Sequence, residues 1–85
     1  AQLHESWTPY QKEAYALRSE IYLRLNQPEQ AMTDLSTVIQ VDPTNVAALL
    51  TRAKLYQEGL QGRLAKDDLE RACDLGSITA CEQLP

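Results

Sequence analysis

Apolar residues recur along this chain at the three- and four-residue spacing of helices that bury one side. Tyr15, Tyr22 and Leu25 follow this spacing in the first part of the chain, and Leu35 and Val38 continue it in the next. The pattern predicts helices near residues 9–25, 29–41, 45–58, 63–75 and 78–84. We therefore expect an all-α fold of about five helices.

Short turns separate the predicted helices. Asn26-Gln27-Pro28 combines a residue that tolerates left-handed backbone geometry with a proline that suits the start of a helix. Gly59-Leu60-Gln61-Gly62 forms the corresponding later turn, where we expect glycine to supply the unusual geometry. Both connections are short enough to make consecutive helices antiparallel neighbours.

The sequence also repeats itself after 34 residues. The identical pairs at this distance are Ala14 and Ala48, Arg18 and Arg52, Tyr22 and Tyr56, Gln27 and Gln61, Ala31 and Ala65, Asp34 and Asp68, and Leu35 and Leu69. Similar residues lie beside them, and we expect Ile21 with Leu55, and Val41 with Leu75, to pack rather than face water. Repetition at this period is typical of stacked helical hairpins.

Three segments fall at one phase of the repeat and mark the ends of units: Trp7-Thr8-Pro9, Val41-Asp42-Pro43 and Leu75-Gly76-Ser77. Proline cannot continue a helix but suits the first turn of the next one. The predicted segments are an N-terminal tail or the end of a preceding repeat over 1–11, repeats over 12–45 and 46–79, and a short capping helix over 78–85. In this interpretation Trp7 is a core residue that closes the preceding unit.

The order of small and large residues over 12–77 resembles that of the tetratricopeptide repeat (TPR) family. Its small positions hold Ser19, Ala31, Val38, Ala53, Ala65 and Ala72, and its large positions hold Tyr15, Tyr22, Leu35, Leu49, Tyr56 and Leu69. Pro43 matches the terminal proline of that family, whereas Ser77 replaces it in the second unit. Arg18 and Arg52 stand where leucine is more common, and a long arginine stem can pack while its head reaches water. The resemblance implies an α-solenoid that binds a protein or peptide and catalyses nothing.

The resemblance also implies a binding groove, because the first helix of each TPR unit lines the concave face in that family. The residues at those positions are Glu13, Ala16, Leu17, Glu20, Leu23, Arg24, Ala47, Leu50, Thr51, Lys54, Gln57 and Glu58. An apolar middle with mixed charges at its edges suits an amphipathic helix or an extended peptide. Some family members clamp acidic chaperone tails with basic groove residues, which are missing at those positions here, so we do not expect such tails to bind. Another repeat, or the N-terminal segment, is the alternative occupant of this groove.

Cys73 and Cys81 lie on either side of the predicted turn at Gly76-Ser77. Residues 56–84 resemble the Sel1-like, cysteine-rich branch of the helical repeats, in which cysteines at this spacing join neighbouring helices. The resemblance implies a disulfide and hence a periplasmic or secreted protein. The alternative is a pair of free cysteines that act as small apolar residues, which fits a cytoplasmic protein. Zinc is not expected, because two thiols and the distant His4 do not supply four ligands.

Composition and charge exclude several other functions. The 85 residues carry a net charge of −4, and the basic residues are scattered, which disfavours nucleic acid as a partner. No apolar run approaches the length of a membrane span, so direct membrane insertion is not expected. No cofactor motif or catalytic constellation is visible. We interpret Asp67, Asp68 and Glu70 as a solvated helix face rather than as paired catalytic carboxylates.

The sequence therefore predicts a protein-interaction module that holds a peptide or partner helix. Two alternatives from other classes are kept. One is a structural or oligomerisation unit of a larger envelope or multidomain protein, including a homo-oligomer through exposed repeat ends. The other, more remote, is a Sel1-like enzyme that interacts with β-lactams, for which no nucleophile with a base is evident.

Overall fold

The structure is a computed structural model that describes residues 9–84, with side chains described over residues 11–84. The predicted core role of Trp7, the surface position of His4 and most of the predicted segment 1–11 lie outside the described residues.

Helices make up most of the described chain. They are α1 (Pro9–Arg24), α2 (Pro28–Val41), α3 (Val46–Glu58), α4 (Gly62–Asp74) and α5 (Ile78–Gln83). Every helix end lies within one residue of its predicted position, and residues 9–84 contain no strand. The predicted all-α fold of about five helices is therefore confirmed.

Polar side chains and proline set where several helices begin. The side chain of Asn45 accepts a hydrogen bond of 3.0 Å from the backbone N–H of Ala48, and so caps α3. Ser77 caps α5 in the same way, with its hydroxyl accepting from the N–H of Ala80 at 3.1 Å. Pro28 occupies the first turn of α2, where its missing N–H costs nothing. These residues stop each helix from extending back into the preceding turn.

One type of backbone closure recurs at the turns inside the helical hairpins. The N–H of Gln27 donates to the carbonyl of Tyr22 at 2.8 Å, and 34 residues later the N–H of Gln61 donates to the carbonyl of Tyr56 at 2.7 Å. In each case the residue before the glutamine has left-handed geometry, with φ of 58° at Asn26 and 62° at Leu60. Each turn therefore uses the hydrogen bonds of a helix C-terminal cap to reverse the chain.

The second of these turns corrects the sequence-based expectation that glycine supplies its geometry. Gly59 has an ordinary φ of −91°, and the left-handed position falls on Leu60. A leucine side chain disfavours this conformation because its Cβ approaches the neighbouring carbonyl oxygen. The turn is kept because the repeat phase and its hydrogen bonds, rather than the local glycines, place the reversal.

The chain divides into two compact units between Pro43 and Thr44. In the first unit, α1 and α2 pack together as a helical hairpin. Ala31 and Val38 of α2 are fully buried. Ser19 of α1 is buried as well, and its hydroxyl donates to the carbonyl of Ala16 at 2.6 Å, so this buried polar group is satisfied.

The second unit contains three helices. Its α3 packs on α4, and α4 packs on the short α5. Leu49 and Ala53 of α3, Ala72 of α4 and Ala80 of α5 are all buried. Small residues at most of these positions let the helix backbones approach closely.

Buried residues recur at the 34-residue period. Four pairs are buried in both units: Ser19 and Ala53, Ala31 and Ala65, Leu35 and Leu69, and Val38 and Ala72. Two of the expected packing positions are wrong, because the Ile21 side chain is 55% exposed and Leu75 is 41% exposed. Leu25, which shares the helical spacing used in the prediction, is exposed too. In α1 the helical period therefore places apolar residues both on the buried side and on the exposed side.

Candidate partner-binding faces and the arginine–aspartate pairs

The first-unit residues of the predicted groove lie on one side of α1. Packing of α1 on α2 buries Ser19, and residues at the predicted positions point away from that buried side. Ala16 and Leu23 are half-buried, whereas the exposed members are Glu13, Leu17, Glu20 and Arg24. None of the six belongs to the core, and Leu17 is the large apolar side chain that is most exposed among them, at 53%.

The second-unit residues of the predicted groove lie on α3 in the same register. Leu50 and Thr51 are half-buried, and the exposed members are Ala47, Lys54, Gln57 and Glu58. The Thr51 hydroxyl donates to the carbonyl of Ala47 at 2.9 Å, one helical turn earlier. This face therefore offers less apolar surface than the face on α1, and its charges lie towards the C-terminal end of the helix. The use of either set in binding stays a prediction.

A buried aspartate paired with an arginine recurs in both units. In the first, Nε and Nη2 of Arg18 donate to Oδ2 and Oδ1 of Asp34 at 2.8 and 2.7 Å. In the second, the same atoms of Arg52 donate to Asp68, both at 2.8 Å. Each pair joins the first helix of a hairpin to its second helix, in the two-pronged geometry that arginine and carboxylate groups favour.

Each guanidinium also lies over aromatic rings. The Cζ atom of Arg18 is 4.9 Å from the ring centre of Tyr15 and 5.7 Å from that of Tyr22, and Arg52 is 5.5 Å from the ring of Tyr56. These distances suit cation–π attraction, which adds to the ion pair. The conserved spacing of arginine and tyrosine on one helix thus holds the cation in position before it reaches the carboxylate on the other.

Burial differs between the two pairs on the arginine side. Asp34 and Asp68 are both buried, whereas the side chain of Arg18 is 53% exposed and that of Arg52 only 19%. Hydrogen bonds to Asp34, helped by its negative charge, raise the pKa of Arg18 above its ordinary value. Hydrogen bonds to Asp68 likewise raise the pKa of Arg52. Both arginines therefore remain charged throughout the physiological pH range.

These pairs correct two interpretations of the sequence. Asp68 does not belong to a solvated face, because it is buried against Arg52, while its neighbours Asp67 and Glu70 are exposed. Arg18 and Arg52 do more than cover apolar surface with their stems. The pairing was missed because it links residues 16 positions apart on different helices. The signal that could have shown it was the repetition of both partners after 34 residues.

The arrangement is structural rather than catalytic. Both oxygens of each aspartate accept from an arginine, which leaves the carboxylate poorly placed to act as a base or nucleophile. Within residues 9–84, no three His, Cys, Asp or Glu side chains are grouped so that they could hold a metal ion. The helices in this part of the chain are all too short or too polar to cross a membrane.

Cys73 and Cys81 are joined as a disulfide between α4 and α5. Their Cα atoms are 4.7 Å apart, within the range that this bond requires. Cys73 is half-buried at the C-terminal end of α4, and Cys81 is exposed on α5. The predicted pairing therefore agrees with the structure, while the Sel1-like resemblance that implied it stays a prediction.

Helical hairpins that repeat after 34 residues find a counterpart among known proteins. Human tetratricopeptide repeat protein 34 is 36% identical to this chain over 72 residues, which are 85% of the chain. The chain is TPR-like. It spans only 13% of the length of that human protein. No family model matches this TPR-like chain. The comparison with solved structures found no match.

Proposed function

We propose that this TPR-like chain binds a segment of a partner protein through the exposed faces of α1 and α3. The observation that carries the proposal is the exposure of Leu17 beside Glu13, Glu20 and Arg24 on a helix whose opposite side is fixed by packing. An apolar anchor among mixed charges suits an amphipathic helix or an extended peptide. The similarity to a TPR protein supports the same general class of function.

The charges on these faces set the kind of segment that we expect. The face on α1 carries two glutamates and one arginine, and the face on α3 carries Lys54 and Glu58. A partner with a large apolar side chain and both signs of charge is complementary to them, whereas a strongly acidic tail is not.

Selection of peptides from a random displayed library on the immobilised chain tests this proposal. Selected peptides are then titrated against wild type, Leu17→Glu, and the matched control Leu60→Glu. Leu60 is 94% exposed but lies in the turn before α4, outside the proposed faces. We expect Leu17→Glu to weaken binding at least about tenfold, since a buried charge replaces an apolar anchor. Equal losses in both variants, or none in Leu17→Glu, would show that the face is wrongly chosen.

The face on α3 is tested in the same titration with Leu50→Glu. We expect a smaller loss than for Leu17→Glu, because Leu50 is half-buried and offers a partner less surface. Circular dichroism must show an unchanged helix content, so that weaker binding is not confused with unfolding. A peptide that binds Leu50→Glu as tightly as wild type limits the binding face to α1.

A second candidate function is assembly with another copy of the chain. Ile21 and Leu25 lie one helical turn apart on α1, and both side chains are more than half exposed outside the proposed binding set. Exposed apolar residues on one helix face are common at subunit interfaces. Light scattering over a range of concentrations should then show a dimer that Ile21→Glu converts to monomer. A monomeric wild type at every concentration would eliminate this candidate.

We also propose that the chain works in an oxidising compartment, periplasmic or secreted, where a disulfide persists. The bond between Cys73 and Cys81 supports this setting. Trapping of thiols with an alkylating reagent in intact cells tests it. Two alkylated cysteines in freshly lysed cells would place the protein in a reducing compartment instead.

A further inference from the structure

The last helix has few interactions of its own. The six residues of α5 include just one buried side chain, Ala80, and Ile78 is 74% exposed. Helices this short are not stable in isolation, so α5 depends on what attaches it to α4. The attachments within the described chain are the packing around Ala80, the Ser77 cap and the disulfide. The covalent bond is the strongest of these.

The disulfide is also accessible. Cys81 is exposed on the surface of α5, whereas Cys73 is half-buried at the end of α4. Disulfides that solvent can reach are the ones that thiols attack most readily. In this unit the accessible cysteine and the weakly held helix are therefore the same element.

We propose that the Cys73–Cys81 disulfide is a redox latch that holds α5 against α4 and releases it on reduction. In the oxidised form, α5 covers part of α4. In the reduced form, α5 loses its attachment and that part of α4 becomes accessible to solvent or to another protein. This inference concerns regulation and does not rest on the binding faces proposed above.

The reductant is a dithiol. One thiolate attacks Sγ of Cys81, the exposed sulfur, forming a mixed disulfide and releasing the thiolate of Cys73. The second thiol of the reductant, as thiolate, then attacks its own sulfur in the mixed disulfide and releases the thiolate of Cys81. The dithiol is oxidised to a disulfide, two electrons pass to the protein, and both cysteines take up a proton to become thiols.

Hydrogen exchange measured by mass spectrometry on the 85-residue chain tests the latch. The oxidised chain is compared with the same chain in dithiothreitol and with the variant Cys73→Ala/Cys81→Ala, which cannot form the bond. We expect amides of α5 to exchange at least about tenfold faster after reduction and in the variant, while amides in the first three turns of α4 keep their protection. The variant in dithiothreitol must equal the variant without it.

Two results would overturn the proposal. If amides of α5 keep their protection after reduction, packing around Ala80 is sufficient and the bond does not act as a latch. If amides of α3 and α4 lose protection together with those of α5, the bond stabilises the whole unit and does not control one helix.

Discussion

Replacement of Arg52 by methionine should be among the most damaging single changes in the second unit. The substitution keeps much of the stem but removes the guanidinium that binds both oxygens of Asp68. A carboxylate is then left buried without its counter-charge. Breaking a fully buried ion pair in this way costs about 3–5 kcal/mol. Because the Arg52 side chain is 19% exposed, we expect about 2–4 kcal/mol here.

The second change in the cycle is Asp68→Leu, which has nearly the same shape without charge. Alone it should cost less than Arg52→Met, because the arginine head can still reach water. The double variant Arg52→Met/Asp68→Leu should recover most of the stability, since an apolar pair of similar volume can replace a buried ion pair at little cost. The coupling free energy between the two sites should then be about 2 kcal/mol.

The pair in the first unit supplies a matched control within the same chain. Arg18→Met and Asp34→Leu remove the same two hydrogen bonds, but the Arg18 side chain is 53% exposed. Water can therefore reach this pair more easily, and its coupling free energy should be smaller than that of Arg52 and Asp68.

Urea unfolding followed by circular dichroism gives the free energies for both cycles. The raised pKa of Arg52 also fixes the sign of the pH effect. A raised pKa in the folded state means that the stabilisation is complete below the unfolded-state pKa and is lost only as the pH rises through the folded-state value. Coupling should thus be unchanged between about pH 7 and about pH 9. Coupling near zero in the second unit, or larger coupling in the first, would refute this reasoning.

Three further changes are checked by the same unfolding measurement. Leu60→Gly should stabilise the chain by about 0.5–1 kcal/mol because it relieves the left-handed backbone at φ 62°, and no change would mean that the turn is not strained. Asn45→Ala should cost about 1 kcal/mol through loss of the α3 cap, whereas Asn45→Ser should cost less. Leu49→Ala should cost about 2–5 kcal/mol, since this side chain is fully buried, and a loss below 1 kcal/mol would contradict that burial.

Helix positions could be predicted closely because they depend on local signals. Pro28, Asn45 and Ser77 act on the few residues that follow them, and the spacing of apolar residues gives the length of each helix. The 34-residue repeat then grouped the helices into hairpins. These signals need no knowledge of what lies across the helix interface.

Features that depend on contacts between helices were harder to predict. The pairing of Asp68 with Arg52 joins two helices, and rules for neighbours on one helix cannot detect it. Ile21 follows the helical period as well as any core residue does, yet it lies on the exposed side of α1. Helical spacing gives the face on which a residue lies, whereas the face that becomes buried depends on the partner helix.

The predicted binding set followed from register alone. Register correctly kept Leu17 and Leu50 out of the core, because the first helix of each hairpin turns its other side towards its partner helix. Which of these residues contacts a partner depends on the shape and charge of that partner as well. The sequence of this chain describes just one side of such an interface.

Both members of each arginine–aspartate pair belong to the same 34-residue unit. A gene duplication that copies one whole unit therefore copies a complete pair, and a deletion of one unit removes a complete pair. Neither event leaves a buried carboxylate without its guanidinium, so the number of units can change without a second, compensating mutation at these sites. An ion pair with partners in different units would have made every change in length a charge defect.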